Sequence, residues 1–554
     1  MSVTKMRKII SVARMFVAAT LALFLADAAH AAAPGITGPT FNLTAQTAFL
    51  NQPDGAQVYA WGYGCNGAPA GFAPAAMVGA TCPTMQVPGP TLIVTEGQTV
   101  TVNLTNNLPA PAGNTSILFP GFNVTATGGT AGVLTQEAAN GGTVTYTFVA
   151  NSPGTHAYYS GTQGDLQVEM GLYGAVIVLP TGNATVTAAC GTLTTGGLPA
   201  TNPGNNAKAK AAWNEADFRL AASAYDNPKT CYDREYLFQW AEMDPRIHNE
   251  ALAQVTALGS CTAGANGCQL QVPTEPYHPA YFVINGRSMP DLMDANYAPE
   301  YPHQPYNGDP HMHPGEMTLI RSIGQGRWQH PFHEHANHVR ILARDGNLQL
   351  APDGNNLAGL LMFNTDTTPG EAFDGIFYFT GRGLNWDAYG HNPSSADASA
   401  KLPCTPDANG YNTGAPAAIN YFEWCQDHNK PVEANPIGDV PGGGPVTLPN
   451  PNILTNGPWY GGTPYLGPDA SIRGGGTQAC LTNNGGTTAG NPADSLCTPL
   501  QPSNIQANPG NERGWAYMWH SHNEREITTN NVFPGGMLMM MLVDSREFVI
   551  DENK

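Results

Sequence analysis

The chain has 554 residues, of which only 12% are charged, and it contains 63 glycines and 47 prolines. This length favours two or three domains over a single core, and the many turn-forming residues favour a β protein over a helical one. The formal net charge of −19 argues against nucleic acid and anionic membrane surfaces as partners, because both would repel the protein.

The N-terminus has the pattern of a secretory signal. Basic residues precede an apolar run from Met15 to Leu25, and Ala29 and Ala31 supply the small residues that a signal peptidase requires. No other apolar run is long enough to span a bilayer. We therefore expect residues 1–31 to be removed and the mature protein to be exported, either to a periplasm or to the extracellular space.

The cysteines fit an exported protein. Their even number favours disulfides over metal ligation, although the sequence alone does not fix the connectivity. The ten cysteines fall in neighbouring pairs along the chain, namely Cys65 with Cys82, Cys190 with Cys231, Cys261 with Cys268, Cys404 with Cys425, and Cys480 with Cys497. We expect five disulfide bonds.

The clearest β segment runs from Val87 to Leu108, where Val100, Val102 and Leu104 alternate with polar residues after a Pro-Gly-Pro turn. This segment resembles the first-domain signature of the multicopper oxidase superfamily, and residues 144–180 strengthen the resemblance. The resemblance implies an all-β chain with two cupredoxin-like Greek-key β-sandwich domains and a long irregular insertion in the second.

The resemblance also indicates where copper ligands would be in the first domain. The family has four cluster histidines there, and the matching positions in this chain are Leu118, Pro120, Tyr159 and Gly161. His156 precedes a ligand position, so we interpret it as a packing or surface residue. The first domain is therefore expected to have lost its half of a three-copper cluster.

The domain boundaries follow from composition and motif order. We expect an N-terminal cupredoxin-like domain over residues 35–180 and a linker over 181–229 with one short helix near Ala211 to Ser223. A second domain is expected over 230–385 plus 512–547. Residues 386–511 are rich in Gly, Pro, Asn and Thr, and they carry four cysteines. We interpret them as a disulfide-stapled insertion.

Two His-x-His motifs carry the predicted chemistry. One lies in HPFHEH at residues 330–335 and the other in WHSHNERE at residues 519–526. On a β-strand, residues two apart share a face, so the motifs would place four imidazoles together if their strands were neighbours. The predicted metal ligands are His333, His335, His520 and His522. The alternative is a buried polar layer in which these histidines hydrogen-bond one another.

The resemblance assigns a second, blue copper site to His330, to position 521, to position 526 and to Met537. Ser521 replaces the cysteine of the family's His-Cys-His pattern, and Glu526 replaces a histidine. A blue site requires a thiolate, so we expect no working blue copper here. His330, Glu526 and Met537 remain candidate ligands for a harder ion. Alternatively, the site is a hydrogen-bonded remnant in which Glu526 holds His330.

A third histidine pair lies in DPHMHPGE, where His311 and His313 flank Met312. This combination is compatible with copper. The segment is rich in proline and has the pattern of a loop, so we expect exposed histidines that bind no metal.

Taken together, the motifs predict an exported, multicopper-oxidase-like, copper-binding oxidoreductase with a reduced, non-blue site. We expect one or two copper ions rather than four, or zinc, and the substrate is an unidentified small molecule or metal ion. Loss of half of the cluster ligands argues against laccase-like four-electron reduction of oxygen. The alternative is a non-catalytic binding or structural protein on a cupredoxin scaffold. The resemblance also suggests a homo-oligomer, because two-domain members of the family form trimers.

Overall fold

The computed structural model describes residues 32–193, 205–381, 405–419, 421–424, 462–465, 479–481, 487–489 and 514–553. The expected signal over residues 1–31 and most of the expected insertion lie outside these ranges. The cysteines at positions 404, 425, 480 and 497 likewise carry no described side chains, so two of the expected disulfides are not tested.

The N-terminal half folds into strands β1 to β12. These are β1 (Gly35–Thr37), β2 (Thr40–Asn51), β3 (Gln57–Cys65), β4 (Phe72–Ala73), β5 (Leu92–Thr95), β6 (Thr99–Asn106), β7 (Thr125–Thr127), β8 (Thr130–Ala131), β9 (Gln136–Glu137), β10 (Thr143–Val149), β11 (Gly154–Tyr159) and β12 (Tyr173–Leu179).

Two five-stranded sheets make up the first sandwich, in the orders β11-β12-β5-β1-β4 and β3-β2-β6-β10-β7. The predicted alternation in β6 is confirmed, because Val100, Val102 and Leu104 are fully buried while the residues between them are only partly buried. Their side chains join Trp61 and Val176 in one apolar core between the sheets. Burial of this shared face is what holds the two sheets together.

Helices are short and lie outside the sheets. They are α1 (Gly164–Gln167), α2 (Ala184–Cys190), α3 (Asn205–Trp213) and α4 (Pro245–Leu258). None of the described helices has the length and apolar character needed to cross a membrane.

The helix expected near Ala211 to Ser223 is wrong in position. The alanine- and lysine-rich stretch 207–212 is the helical part, in agreement with the high helix propensity of these residues. Asn214 then adopts a left-handed φ of 55°, which ends the helix before the following residues. Helix α4 was not predicted, although Asp244 caps it by accepting a hydrogen bond from the Arg246 amide at 2.9 Å.

The C-terminal half contributes strands β13 to β27. These are β13 (Arg234–Met243), β14 (Tyr281–Ile284), β15 (His311–Met312), β16 (Met317–Gly324), β17 (His330–Glu334), β18 (Val339–Arg344), β19 (Asn347–Leu348), β20 (Leu361–Met362), β21 (Asn364–Thr367), β22 (Ala372–Tyr378), β23 (Gly462–Tyr465), β24 (Ala479–Leu481), β25 (Thr487–Ala489), β26 (Gly514–Ser521) and β27 (Leu538–Asp544).

The second sandwich also has two sheets. One has the order β14-β13-β16-β22-β18-β19 with β20 paired to β18, and the other has the order β15-β27-β26-β17-β21 with β23 paired to β26. Trp240, Phe332, Phe377 and Trp519 are fully buried between them. Strands β24 and β25 form a separate hairpin. The all-β fold with two sandwiches is thus confirmed.

Three of the expected disulfides are present, and each closes a local loop. They join Cys65 to Cys82, Cys190 to Cys231, and Cys261 to Cys268. The second bond ties helix α2 to the segment just before β13. Disulfides of this kind are typical of proteins that mature in an oxidising compartment.

The two sandwiches share an interface that is partly ionic. Thr155 of β11 donates its hydroxyl to Asp374 of β22 at 2.6 Å, and the Arg321 guanidinium contacts Thr155 at 3.1 Å and Asp374 at 3.6 Å. Tyr225 also donates to Asp374, at 2.5 Å. All four side chains are buried, and the apolar contact of Ala157 and Ile177 with residues of the second sandwich surrounds them.

We predict that Asp374→Ala lowers the free energy of unfolding by about 3–5 kcal/mol, because it leaves the buried Arg321 charge with only part of its compensation. Denaturant unfolding followed by intrinsic fluorescence measures the change. Glu300→Ala removes an exposed carboxylate and is the control, with an expected change within about 0.5 kcal/mol. An Asp374 variant as stable as this control would contradict the role of the ionic contact.

Candidate metal centre

The candidate centre is built on the antiparallel pairing of β17 with β26. His333 lies directly opposite His520, and Phe332 lies opposite Ser521. Because side chains alternate along a strand, His333 and His520 share one face of the pair, whereas Phe332 and Ser521 share the other. The structure thereby brings together two motifs that are about two hundred residues apart in sequence.

Three imidazoles form the compact part of the centre. One nitrogen each from His333, His335 and His520 lies within 4.8 Å of the others. The Nε2 atoms of His335 and His520 are 3.2 Å apart. Imidazole nitrogens that converge in this way are a suitable donor set for a transition-metal ion.

His522 completes the group from the solvent side. Its ring centroid is 4.8 Å from that of His333 and 5.6 Å from that of His520. Its side chain is 53% exposed, and its Nδ1 lies 3.7 Å from a carboxylate oxygen of Glu524. All four predicted residues are therefore neighbours, with His522 at the open edge of the group.

The protonation of the group favours metal binding. Burial lowers the pKa of His333 to about 4, with a further contribution from His335, His520 and His522. Burial also lowers the pKa of His520. These two rings are consequently neutral at physiological pH, which is the form that donates a lone pair.

The tautomer of His520 follows from its contact with the backbone. Its Nδ1 lies 2.7 Å from the carbonyl oxygen of Ser521, and a carbonyl oxygen only accepts hydrogen bonds. Nδ1 therefore carries the proton, and the Nε2 lone pair is directed towards His335. A backbone carbonyl that fixes the tautomer in this way is a common second contact of metal-binding histidines.

The opposite face of the strand pair holds a charged network instead of a soft ligand set. His330 donates from Nδ1 to Glu526 Oε2 at 2.8 Å and from Nε2 to Glu242 Oε2 at 2.9 Å, and all three side chains are fully buried. Burial alone would lower the pKa of His330, but the two carboxylates raise it to about 9. His330 is thus an imidazolium, with both nitrogens used as donors.

Ser521 belongs to the same network. Its hydroxyl donates to Glu526 Oε2 at 2.5 Å, and Asn523 donates to the other oxygen of Glu526 at 2.8 Å. Met537 is fully buried in the apolar core of the second sandwich. The hydrogen bond expected between Glu526 and His330 is present, and the network provides no lone pair from His330 for an ion.

Sequence reasoning missed Glu242 as the second partner of His330. Glu242 lies in strand β13, where every residue is buried. A carboxylate in an otherwise buried strand needs compensating donors, and this requirement was the available signal. The structure supplies them from His330 and from the backbone amides of Arg327, at 2.6 Å, and Trp328, at 2.9 Å.

The expectation for His311 and His313 is wrong, because both side chains are fully buried rather than exposed. His311 Nδ1 contacts Asp544 at 2.5 Å, and His313 Nε2 contacts Glu215 at 2.7 Å. The short strand β15, which pairs with β27, carries this segment into the interior. Asp544 and Glu215 are far away in sequence, whereas Asp309 of the same motif also lies 3.4 Å from His311 Nε2.

Comparison with known proteins identifies the first domain. Residues 79–183 match the family model described as multicopper oxidase. This part of the chain is a multicopper oxidase domain. Over 98 residues the chain is 36% identical to an L-ascorbate oxidase of Brassica rapa subsp. pekinensis, and the match spans 17% of this chain and 16% of that relative.

The solved structures that resemble this chain share less sequence identity with it. A blue copper oxidase from Nitrosomonas europaea is 14% identical, with 91% of this chain and 85% of that chain covered and a TM-score of 0.40. A laccase from Botrytis aclada is 18% identical, with 62% and 47% covered and a TM-score of 0.34. Similarity of this extent adds nothing about the activity of the present chain.

Three of the four positions that the resemblance matches to cluster ligands line one cavity, and Pro120 is not among its lining residues. Leu118 and Tyr159 pair through an isolated β-bridge. Together with Gly161 they line a cavity of about 320 Å³ that also contacts Arg327 and Gly370 of the second sandwich. The side chains at these positions are apolar or phenolic, so this wall provides no imidazole.

His156 of the multicopper oxidase domain has the packing role that we expected. Its ring lies against Phe122 with a centroid distance of 4.7 Å, and its Nε2 lies 2.9 Å from the carbonyl oxygen of Ser152. It is therefore engaged in local packing and hydrogen bonding.

We predict that Glu526→Gln reduces the stability of the protein in a pH-dependent way. The raised pKa of His330 stabilises the fold fully below about pH 6.5, and this stabilisation is lost as the pH rises through about 9. The variant should be less stable than the wild type by up to about 3 kcal/mol at pH 6.5. The difference should shrink by pH 9.5.

Denaturant unfolding at the two pH values measures this difference. Glu524→Gln removes an exposed carboxylate two residues away and is the matched control. A loss of stability in the Glu526 variant that is equal at both pH values would show that His330 does not carry the charge.

Proposed function

We propose that the protein is an exported, copper-binding oxidoreductase with a reduced, non-blue metal site. The observation that carries the proposal is the convergence of imidazole nitrogens within 4.8 Å at the junction of β17 and β26. The proposed ligands are His333, His335, His520 and His522. The multicopper oxidase domain at residues 79–183 supports copper as the metal.

The chemistry of the donor set fits copper. Neutral imidazole is a good ligand for Cu(II) and also for Zn(II), and the lowered pKa values of His333 and His520 keep these rings neutral. When bound, copper would supply a one-electron redox centre or a Lewis acid. One or two ions rather than four are proposed, because the positions that the resemblance matches to the other cluster ligands, namely Leu118, Pro120, Tyr159 and Gly161, carry no imidazole.

The protein's own groups have defined tasks in this proposal. The Ser521 carbonyl holds the tautomer and the orientation of His520. His522 lies at the exposed edge, where a small molecule or a metal-ion substrate can approach. On the core side of β17, burial raises the pKa of Glu334 well above its ordinary range, so this side chain adds no negative charge beside the site.

Export is part of the proposal. The three disulfides agree with an oxidising compartment, and the N-terminal sequence has the pattern of a secretory signal. A periplasmic or extracellular protein would acquire its metal there.

A second candidate function is a non-catalytic binding protein on the same scaffold. It is favoured by the network of His330, Glu242 and Glu526, which takes the position where the family has a blue copper. In this alternative the protein binds metal but does not turn over an electron donor. Metal content and redox activity distinguish the two functions.

We predict that protein loaded with copper and then desalted retains about one to two equivalents, in a paramagnetic site with nitrogen ligands and no intense blue thiolate band. His333→Ala and His520→Ala should each abolish this retention. His278→Ala removes an exposed imidazole elsewhere and is the control. Elemental analysis and electron paramagnetic resonance provide the readout. Equal copper in the control and in the two variants would refute the assignment.

His522→Ala should have a milder effect than His333→Ala. The His522 ring lies at the exposed edge, so water can take its place with little rearrangement of the other three rings. Copper titration should show weaker but measurable binding, with an altered resonance spectrum. A complete loss of binding would instead make His522 an indispensable ligand.

A further inference from the structure

A second pocket lies on the outer face of the sheet that contains β16, β18 and β22. Alternate residues of these strands face in opposite directions, so Val339, Ile341 and Phe377 enter the core while their neighbours face the pocket. The volume is about 370 Å³. The lining residues are Lys229, Cys231, Met317, Asn337, His338, Arg340, Leu342, Leu357, Leu361, Ile376 and Tyr378.

The floor of this pocket is apolar and its rim is basic. Leu342, Leu357 and Ile376 supply aliphatic surface, and Lys229 and Arg340 supply two cations. No carboxylate occurs among the described residues that line it, although the chain as a whole has a formal charge of −19. The two cations of the lining favour an anionic ligand, and the nearby Asp233 carboxylate already accepts a hydrogen bond from the Met317 amide at 2.9 Å.

The two cations are held in place by neighbouring groups. Arg340 Nη1 donates to the carbonyl oxygen of Gly359 at 2.7 Å, and Lys229 Nζ donates to the Asn356 side chain. Each group has further N–H donors, because a guanidinium has five and an ammonium has three. Burial lowers the pKa of His338, so this rim residue is a neutral hydrogen-bonding group.

The pocket adjoins the imidazole group through one aromatic ring. The Phe363 centroid is 5.2 Å from that of His338 and 5.9 Å from that of His333. Leu360 and Leu361, which precede Phe363, are 69% and 54% exposed.

We propose that this pocket binds a small amphipathic monoanion, with an aromatic or aliphatic body on the apolar floor and a carboxylate between Lys229 and Arg340. The volume suits a compact ligand of this kind, since small-molecule sites begin at roughly 300 Å³. Charge-assisted hydrogen bonds to the two cations would select the anion. The proposal goes beyond the copper site and does not depend on copper being bound.

The test is isothermal titration of the full-length protein, both metal-free and copper-loaded, with 3-phenylpropanoate as the probe. The neutral alcohol 3-phenylpropanol and the cationic 3-phenylpropylamine have the same apolar body. We expect the carboxylate to bind at least about tenfold more tightly than either, which corresponds to about 1.4 kcal/mol. Equal affinity for acid and alcohol, or no binding of the acid to either form, would overturn the proposal.

Variants locate the site. Ile376→Trp should fill the pocket and reduce the affinity for the probe at least about tenfold. The double variant Lys229→Gln with Arg340→Gln should remove the preference for the acid while leaving the alcohol unaffected. The controls are Leu360→Trp, which adds an exposed ring outside the lining, and Arg344→Gln, on the same strand as Arg340 but paired with Glu371.

The titration of metal-free protein separates the pocket proposal from the copper proposal. Binding of the probe to metal-free protein supports the pocket even if copper fails to bind. If copper does bind, the probe should also perturb the copper resonance through Phe363 and His333. Wild-type affinity in both the Ile376 variant and the double variant would place the probe elsewhere and refute the pocket assignment.

Discussion

Side chains alternate between the two faces of the paired strands β17 and β26, and the rest of the centre depends on this alternation. The direct pairing of His333 with His520 puts imidazoles on one face, and the pairing of Phe332 with Ser521 puts core residues and His330 on the other. A register shift of one residue would exchange the two faces. The register therefore separates a neutral metal-binding surface from a buried charged network.

The two faces have opposite electrostatic properties because their partners differ. Burial and the neighbouring imidazoles keep the pKa of His333 low, whereas Glu242 and Glu526 keep the pKa of His330 high. A buried ion pair costs desolvation energy, which is offset only when every charge is hydrogen-bonded. Here the carboxylates receive hydrogen bonds from backbone amides, from Ser521 and from Asn523, so the network is compensated.

The sequence predicted those features that depend on local pattern. The alternation of Val100, Val102 and Leu104 identified a strand, and the spacing of each His-x-His motif identified a shared face. Of the features that depend on distant partners, the contact of Glu526 with His330 was expected from the resemblance, whereas others were missed or wrong. His311 was expected at the surface because the proline-rich motif did not reveal that Asp544, more than two hundred residues away, and Asp309, in the same motif, pair with it in the interior. Glu242 was missed because the need of a buried carboxylate for donors does not tell which residue supplies them, and its partner His330 is 88 residues away.

The side chains at positions 521 and 526 depend on each other. A buried carboxylate at 526 requires donors, and the Ser521 hydroxyl supplies one at 2.5 Å, which a thiolate would not do. The carboxylate in turn raises the pKa of His330 and removes its lone pair. A cysteine at 521 alone would therefore leave His330 protonated and Glu526 with one donor fewer. Ser521 and Glu526 thus form one unit, in which the serine hydroxyl and His330 both donate to the same carboxylate oxygen.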